Sequence, residues 1–244
     1  MESPAASPGP IAPGADSPLG RVVGVFIAPG RTFASIARKP GWVAPLLLWT
    51  VFSALATAVL LPRLDFEAAV REQLAAREET VSEERVERIV AAQKRFSGVA
   101  YVWGALAPTV IAMLIASIFW LSFKAFGWDL SFKQSLGITS HAFIPNCLSA
   151  LLLIVFCLRL DRVNPADLGD LVRSHPGFLV DRKANPVLHS LLQSVDAFSI
   201  WVIVLLVLGY AIAAKVSRGK AAGLVVTLWA LYVLGKAGFT ALFS

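Results

Sequence analysis

Five long apolar runs dominate this chain, and a soluble fold has no use for so many. They are Val43 to Leu61, Val99 to Phe123, Leu136 to Leu158, Phe198 to Ala214 and Ala221 to Phe243. Each reaches or approaches the roughly 20 residues that a helix needs to cross about 30 Å of hydrocarbon. None alternates with period two, as a membrane barrel strand would, so the backbone must satisfy its hydrogen bonds within helices. The expected fold is all-α, a polytopic membrane helix bundle of about five transmembrane helices. Composition agrees: only 16% of residues are charged, against about 25% in a typical soluble domain, and the mean hydropathy is +0.69. Trp42, Trp49, Tyr101, Trp103, Trp120, Trp128, Trp201 and Tyr210 fall near run ends, where such rings favour the headgroup region.

Residues 1–18 hold five prolines, no lysine or arginine and no apolar core. They lack the charged and hydrophobic regions of a secretory signal, and a disordered tail is expected. Leu19, Val22, Val23, Phe26 and Ile27 then follow the spacing of one helical face. Pro29 and Gly30 end that segment. A second short helix sets Phe33 and Ile36 against Arg31, Arg38 and Lys39 before "KPGW" breaks it. Two N-terminal amphipathic helices lying in the headgroup plane are expected, their cations attracted by anionic lipid. The alternative is a re-entrant or bundle-packed segment with snorkelling arginines.

The link "KVSRGK" carries Lys215, Arg218 and Lys220 with no acid, which places it on the cytoplasmic side. With five spans the N-terminus is then cytoplasmic and the C-terminus outside. The same choice gathers Arg21, Arg31, Arg38, Lys39, Lys124 and Lys133 inside, nine basic against three acidic residues in all. Arg21, Arg31, Arg38, Lys39, Lys215, Arg218 and Lys220 are the candidate membrane-surface residues.

Two extramembrane insertions remain, about 64–97 and about 159–196. The first lacks proline and glycine and is rich in helix formers, so a helical hairpin is expected between the first two spans. Thr80 and Glu83 suggest a capping box; Glu67 with Arg71 and Glu84 with Arg88 have favourable i,i+4 spacing; Val86, Ile89, Val90 and Gln93 share a face. It is either a docking surface or a solvated spacer. The second insertion holds Pro165, Pro176, Pro186 and Gly169 and reads as irregular with short helical turns, Asn164 capping the first. His175 and His189 are too far apart in sequence for a recognised metal spacing, and no metal is expected.

Within the spans, His141, Pro145 and Asn146 are the polar candidates, beside Thr139 and Ser140. Pro145 frees the carbonyl of His141, which Asn146 or a neighbouring helix could satisfy. The group is either a kinked substrate or proton site or glue between helices. Lys236 is expected to snorkel to the outer interface, and Ala54 and Ala58, or Gly219 and Gly223, to allow close helix contact. Cys147 and Cys157 are packing residues. No catalytic signature or nucleotide-binding glycine loop is present, so neither enzyme activity, a cofactor nor nucleic acid binding is expected.

The stretch "GVFIAPGRTFASIARKPGWVAPLLL", the link "LSFKQSLGITSHAFIPNCL" with its proline inside an apolar run, and the final "KAAGLVVTLWALYVLGKAGFTALF" together resemble the bacterial branch of the Yip1 domain family. The resemblance covers most of Leu19 to Phe243. It implies a five-helix integral protein of the bacterial cytoplasmic membrane without catalytic residues, associated with membrane organisation or trafficking and often self-associating. Eukaryotic members carry an acidic, aromatic "DLYGP"-like motif tied to small GTPases; it is missing here, and such a partner is not carried over. The expected role is a non-enzymatic scaffold that binds lipid, a membrane protein partner of unknown identity or a second copy of itself. The alternative is a small-solute transporter or transporter subunit using the kinked third helix, against which the lack of an internal repeat argues.

Overall fold

The computed structural model describes residues 17–76 and 82–243, so most of the proline-rich tail and Thr80 of the expected capping box lie outside the described residues. Among the described residues the secondary structure is helical, with one isolated bridge between Leu64 and Val163. The helices are α1 (Pro18–Ile27), α2 (Pro29–Arg38), α3 (Val43–Leu60), α4 (Phe66–Ala76), α5 (Glu83–Arg95), α6 (Ser97–Ala125), α7 (Phe132–Ala142), α8 (Pro145–Cys157), α9 (Pro186–Gln193), α10 (Ala197–Ala213) and α11 (Arg218–Phe243).

Four apolar stretches are long enough to cross a membrane: α3 with its 3-10 extension (Val43–Arg63), α6, α7 with α8 (Phe132–Cys157), and α11. The fifth candidate is the pair α9 and α10, bent by 49°. The third span is interrupted at the expected kink, whereas the bend before the fourth differs from the continuous helix expected. Pro145 has no N–H to continue the α7 ladder and clashes with the preceding turn. The chain answers with a tight turn in which the Ile144 N–H donates to the His141 carbonyl at 3.2 Å and the Asn146 N–H to the Phe143 carbonyl at 3.0 Å. The freed carbonyl of His141 is thus satisfied locally, not by the Asn146 side chain or another helix. In the fourth span Asp196 starts α10 afresh, its carboxylate accepting from the Phe198 and Ser199 N–H groups.

The bundle core gathers around α10. Val202, Leu205, Leu206 and Tyr210 meet Phe119 and Phe123 of α6, Ile138 of α7 and Phe33 and Ile36 of α2. A smaller cluster joins Leu46 of α3 to Ala112 and Ala116 of α6 and Leu136 of α7. Outward-facing leucines, valines and isoleucines such as Leu47, Val51, Leu114 and Leu121 are exposed. For a soluble protein that surface would be a liability; for a chain in lipid it is the expected exterior.

Of the residues expected to allow close helix contact, the glycines of α11 do not. Gly219 and Gly223 have open space around them, whereas a Cβ at Gly209 would lie 2.9 Å from the Phe33 ring and one at Gly137 would lie 3.1 Å from Ile36. Close approach is needed where α2 enters the bundle, and α11 presents Gly219 and Gly223 away from that seat.

Candidate functional site

The opening helix pair is the first candidate. In α1 the apolar face does turn outward: Leu19 is 77% and Ile27 78% exposed. In α2 the apolar face turns inward instead, with Phe33 and Ile36 fully buried in the core. The expectation of two helices resting on the headgroups is therefore corrected for α2, which is packed into the bundle. Its seat is made by the bare backbones of Gly137 and Gly209. Gln134 pins its far end, the side-chain amide donating to the Ala37 carbonyl at 2.9 Å while the side-chain oxygen completes a capping box with Ser131.

Arg21 is also corrected. It is a buried residue, 6% exposed, and its guanidinium donates to the Lys39 carbonyl at 2.8 Å. The last carbonyls of a helix lack intrahelical partners and attract cations, so Arg21 closes the end of α2 rather than facing lipid headgroups. The remaining surface candidates, Arg31, Arg38, Lys39, Lys215, Arg218 and Lys220, are all exposed. They share one end of the bundle with Lys124 and Lys133: Gln134 at the start of α7 bonds the Ala37 carbonyl of α2, and Phe33 of α2 lies against Gly209 near the end of α10. The connections after α6 and α10 leave their helices through left-handed residues, Gly127 at φ 75° and Lys215 at φ 54°. The Trp128 and Val216 N–H groups then reach back to the carbonyls of Phe123 and Ala211.

The intramembrane polar group is organised differently from the sequence expectation. His141 is buried, but its Nδ1 pairs with the Gly137 carbonyl one turn back at 2.8 Å, within its own helix. Asn146 is half-buried beyond the turn. The link between helices is made by Tyr210, whose hydroxyl lies 2.7 Å from Ser135 Oγ and 2.9 Å from Thr139 Oγ1, while Ser135 also donates to the Ala116 carbonyl at 2.7 Å. One hydroxyl cluster thus ties α6, α7 and α10 together. Tyr210 was read from sequence only as a ring near a span end, and nothing in its apolar neighbourhood marks it as a cross-helix partner.

At the opposite end the two insertions form one unit. The bridge between Leu64 and Val163 pairs their backbones, with the Asp65 N–H donating to Val163 and the Val163 N–H to Arg63, both at 2.9 Å. Glu72 of α4 accepts from Asn164 at 2.6 Å and pairs with Arg182 at 3.3 Å and Lys183 at 3.2 Å. Burial pushes the Glu72 carboxyl up, but the bonds from Lys183 and Asn164 and the charge of Arg182 more than offset this and hold it below the ordinary glutamate value. A lowered carboxylate stabilises above its ordinary value and loses that contribution as pH falls through the lowered one. Hydrogen exchange over 66–76 is therefore expected to rise in acid in the wild type, and Glu72→Gln should show the same rise already at neutral pH. Equal exchange in the two chains at neutral pH would contradict the tie.

His175 and His189, distant in sequence, come together here around Asp170. His189 Nε2 lies 3.1 Å and His175 Nε2 3.5 Å from Asp170 Oδ1, and His175 also pairs with the Gly169 carbonyl at 2.9 Å. Among the described residues no group of three or more His, Cys, Asp or Glu has the arrangement of a metal site. Lys236 is not a free snorkelling cation either: it reaches α9, donating to Gln193 Oε1 at 3.1 Å and Ser194 Oγ at 3.2 Å. The loop fold supplies acceptors that the sequence of α11 does not reveal.

Compared with known families, the Yip1 domain matches residues 23–238. Comparisons with curated proteins and with solved structures give no match. The matched region begins in α1, includes the buried α2 and every candidate span before α11, and ends within α11. This chain belongs to the Yip1 domain family and is an integral membrane protein built as a helix bundle.

Proposed function

We propose that this protein is a non-enzymatic membrane scaffold that holds anionic lipid headgroups at one end and associates with a membrane protein partner or a second copy of itself. The observation that carries this reading is the division of polar groups. Inside the bundle the hydroxyls of Tyr210, Ser135 and Thr139 are spent on one another. The exposed cations Arg31, Arg38, Lys39, Lys215, Arg218 and Lys220 gather at one end, where a surface of anionic lipid attracts each by about 1 kcal/mol. In this reading the basic end is cytoplasmic, which sets the N-terminus inside and the C-terminus outside a bacterial cytoplasmic membrane. The paired insertions at the other end offer the surface for a partner.

Photocrosslinking in native membranes tests this reading. A photoreactive residue at exposed Arg38 is expected to capture lipid, and one at exposed Arg88 to capture a discrete protein, either this chain or one reproducible partner. Lipid adducts alone at both positions would contradict the scaffold.

A further inference from the structure

We propose that a cleft beneath the second insertion binds the phosphate of a membrane phospholipid, with Lys236 as its cationic anchor. The cleft measures about 410 Å³ and is walled by α8 and α11, both packed on α10, with Gly169, Val172 and His175 of the loop above it. Lys236 enters from α11. Its ammonium donates to Gln193 Oε1 at 3.1 Å, Ser194 Oγ at 3.2 Å and the Ser190 carbonyl at 3.5 Å. All three acceptors are neutral and take up the three N–H groups, so a phosphate oxygen would replace the longest contact, the Ser190 carbonyl; among the described residues no carboxylate is paired with this half-buried cation.

Asp196, the acid on the cleft wall, acts on Lys236 through its charge but makes no ion pair with it, and its oxygens are bonded to backbone and hydroxyl groups. Its Oδ1 accepts from the Phe198 N–H at 2.9 Å and the Ser199 N–H at 3.1 Å, and its Oδ2 accepts from the Ser199 hydroxyl. A partly desolvated cation with no carboxylate in contact carries a cost that an anion bound directly on it reduces. A lysine ammonium suits phosphate as a compact point charge. The walls select the source of that phosphate. Leu153 and Trp229 line the cleft with Tyr232, which is 66% exposed, so an acyl chain can run along the apolar flank while the headgroup stays at Lys236. A free phosphate gains nothing from those walls.

The test uses the full chain purified in detergent, with phosphatidylglycerol as probe and native mass spectrometry as readout. Wild type and Lys236→Arg are expected to bind one phosphatidylglycerol that Lys236→Met binds about tenfold more weakly, the loss of one charge-assisted hydrogen bond. Because Lys236 also holds α9, Tyr232→Ala serves as a second variant that leaves the ammonium and its bonds in place; it too is expected to bind more weakly. Unchanged binding in either variant would overturn the proposal. Excess inorganic phosphate is expected to leave the lipid bound; full displacement would assign the cleft to a soluble anion and overturn the lipid as occupant.

Discussion

Replacing Gly209 with valine is expected to be among the most damaging single changes in this protein. A Cβ there would lie 2.5 Å from Ile138 Cγ2 and 2.9 Å from the Phe33 ring, and both side chains are fully buried. Neither has space to retreat into, because interiors are packed to crystal-like density. Overpacking of this kind costs about 1–3 kcal/mol, and here the upper end applies, since two core side chains must move together. The valine should lower the midpoint of thermal unfolding in detergent and release α2 to proteolysis at Arg31 and Arg38. Gly219→Val and Gly223→Val supply the contrast: nothing lies within 4 Å of either, and the helix propensity of valine slightly exceeds that of glycine. Both should unfold within a degree or two of wild type, a shift of the size that small surface changes produce. If all three variants unfolded alike, Gly209 would not be the seat of α2.

Tyr210→Phe is the second change with a large expected effect. It keeps the ring stacked on Phe123, whose centroid is 4.8 Å away, and removes only the hydroxyl. Ser135 and Thr139 then lose the partner they share across the α7 and α10 interface. A buried polar group left unsatisfied costs about 1–3 kcal/mol. The Ser135→Ala variant should lose less, since it removes one member of the cluster and leaves Thr139 paired with Tyr210. Combined, the two changes should cost less than their sum, because each breaks the same bond. Strict additivity of the unfolding free energies would show that the hydroxyls do not act as one cluster.

The sequence made the architecture legible because lipid imposes a coarse rule. A run of apolar residues of sufficient length is a span whatever it touches, and α3, α6 and α11 fall where the runs Val43 to Leu61, Val99 to Phe123 and Ala221 to Phe243 do. What the rule cannot convey is which side of a helix meets protein and which meets lipid, since both surroundings are apolar. That is why Phe33 and Ile36 read as a lipid-facing stripe though they are core, and why Arg21, charged and four residues into α1, read as a surface residue though it closes α2. The break at Pro145 was legible from the residue itself; its repair by the Ile144 N–H is a backbone matter that no side chain signals. The meeting of His175 with His189, and of Glu72 with Arg182, depends on the path of two insertions whose docking rests on contacts between distant segments. Charge segregation, by contrast, is written residue by residue, and Arg31, Arg38, Lys39, Lys215, Arg218 and Lys220 are exposed as a surface set should be.

The buried α2 is the feature on which the account turns, and cysteine accessibility in native membranes tests it most directly. Ser35→Cys is nearly isosteric and lies on the buried side of α2, 6% exposed, whereas Arg38→Cys three residues on is exposed. The native Cys147 and Cys157 are both buried and set the background in the wild-type chain. A helix seated in the bundle predicts rapid labelling of Arg38→Cys by a water-soluble maleimide and labelling of Ser35→Cys only after denaturation. A helix resting on the headgroups, with its apolar face in lipid and Ser35 turned to water, would label both at comparable rates, and that result would contradict the structure described.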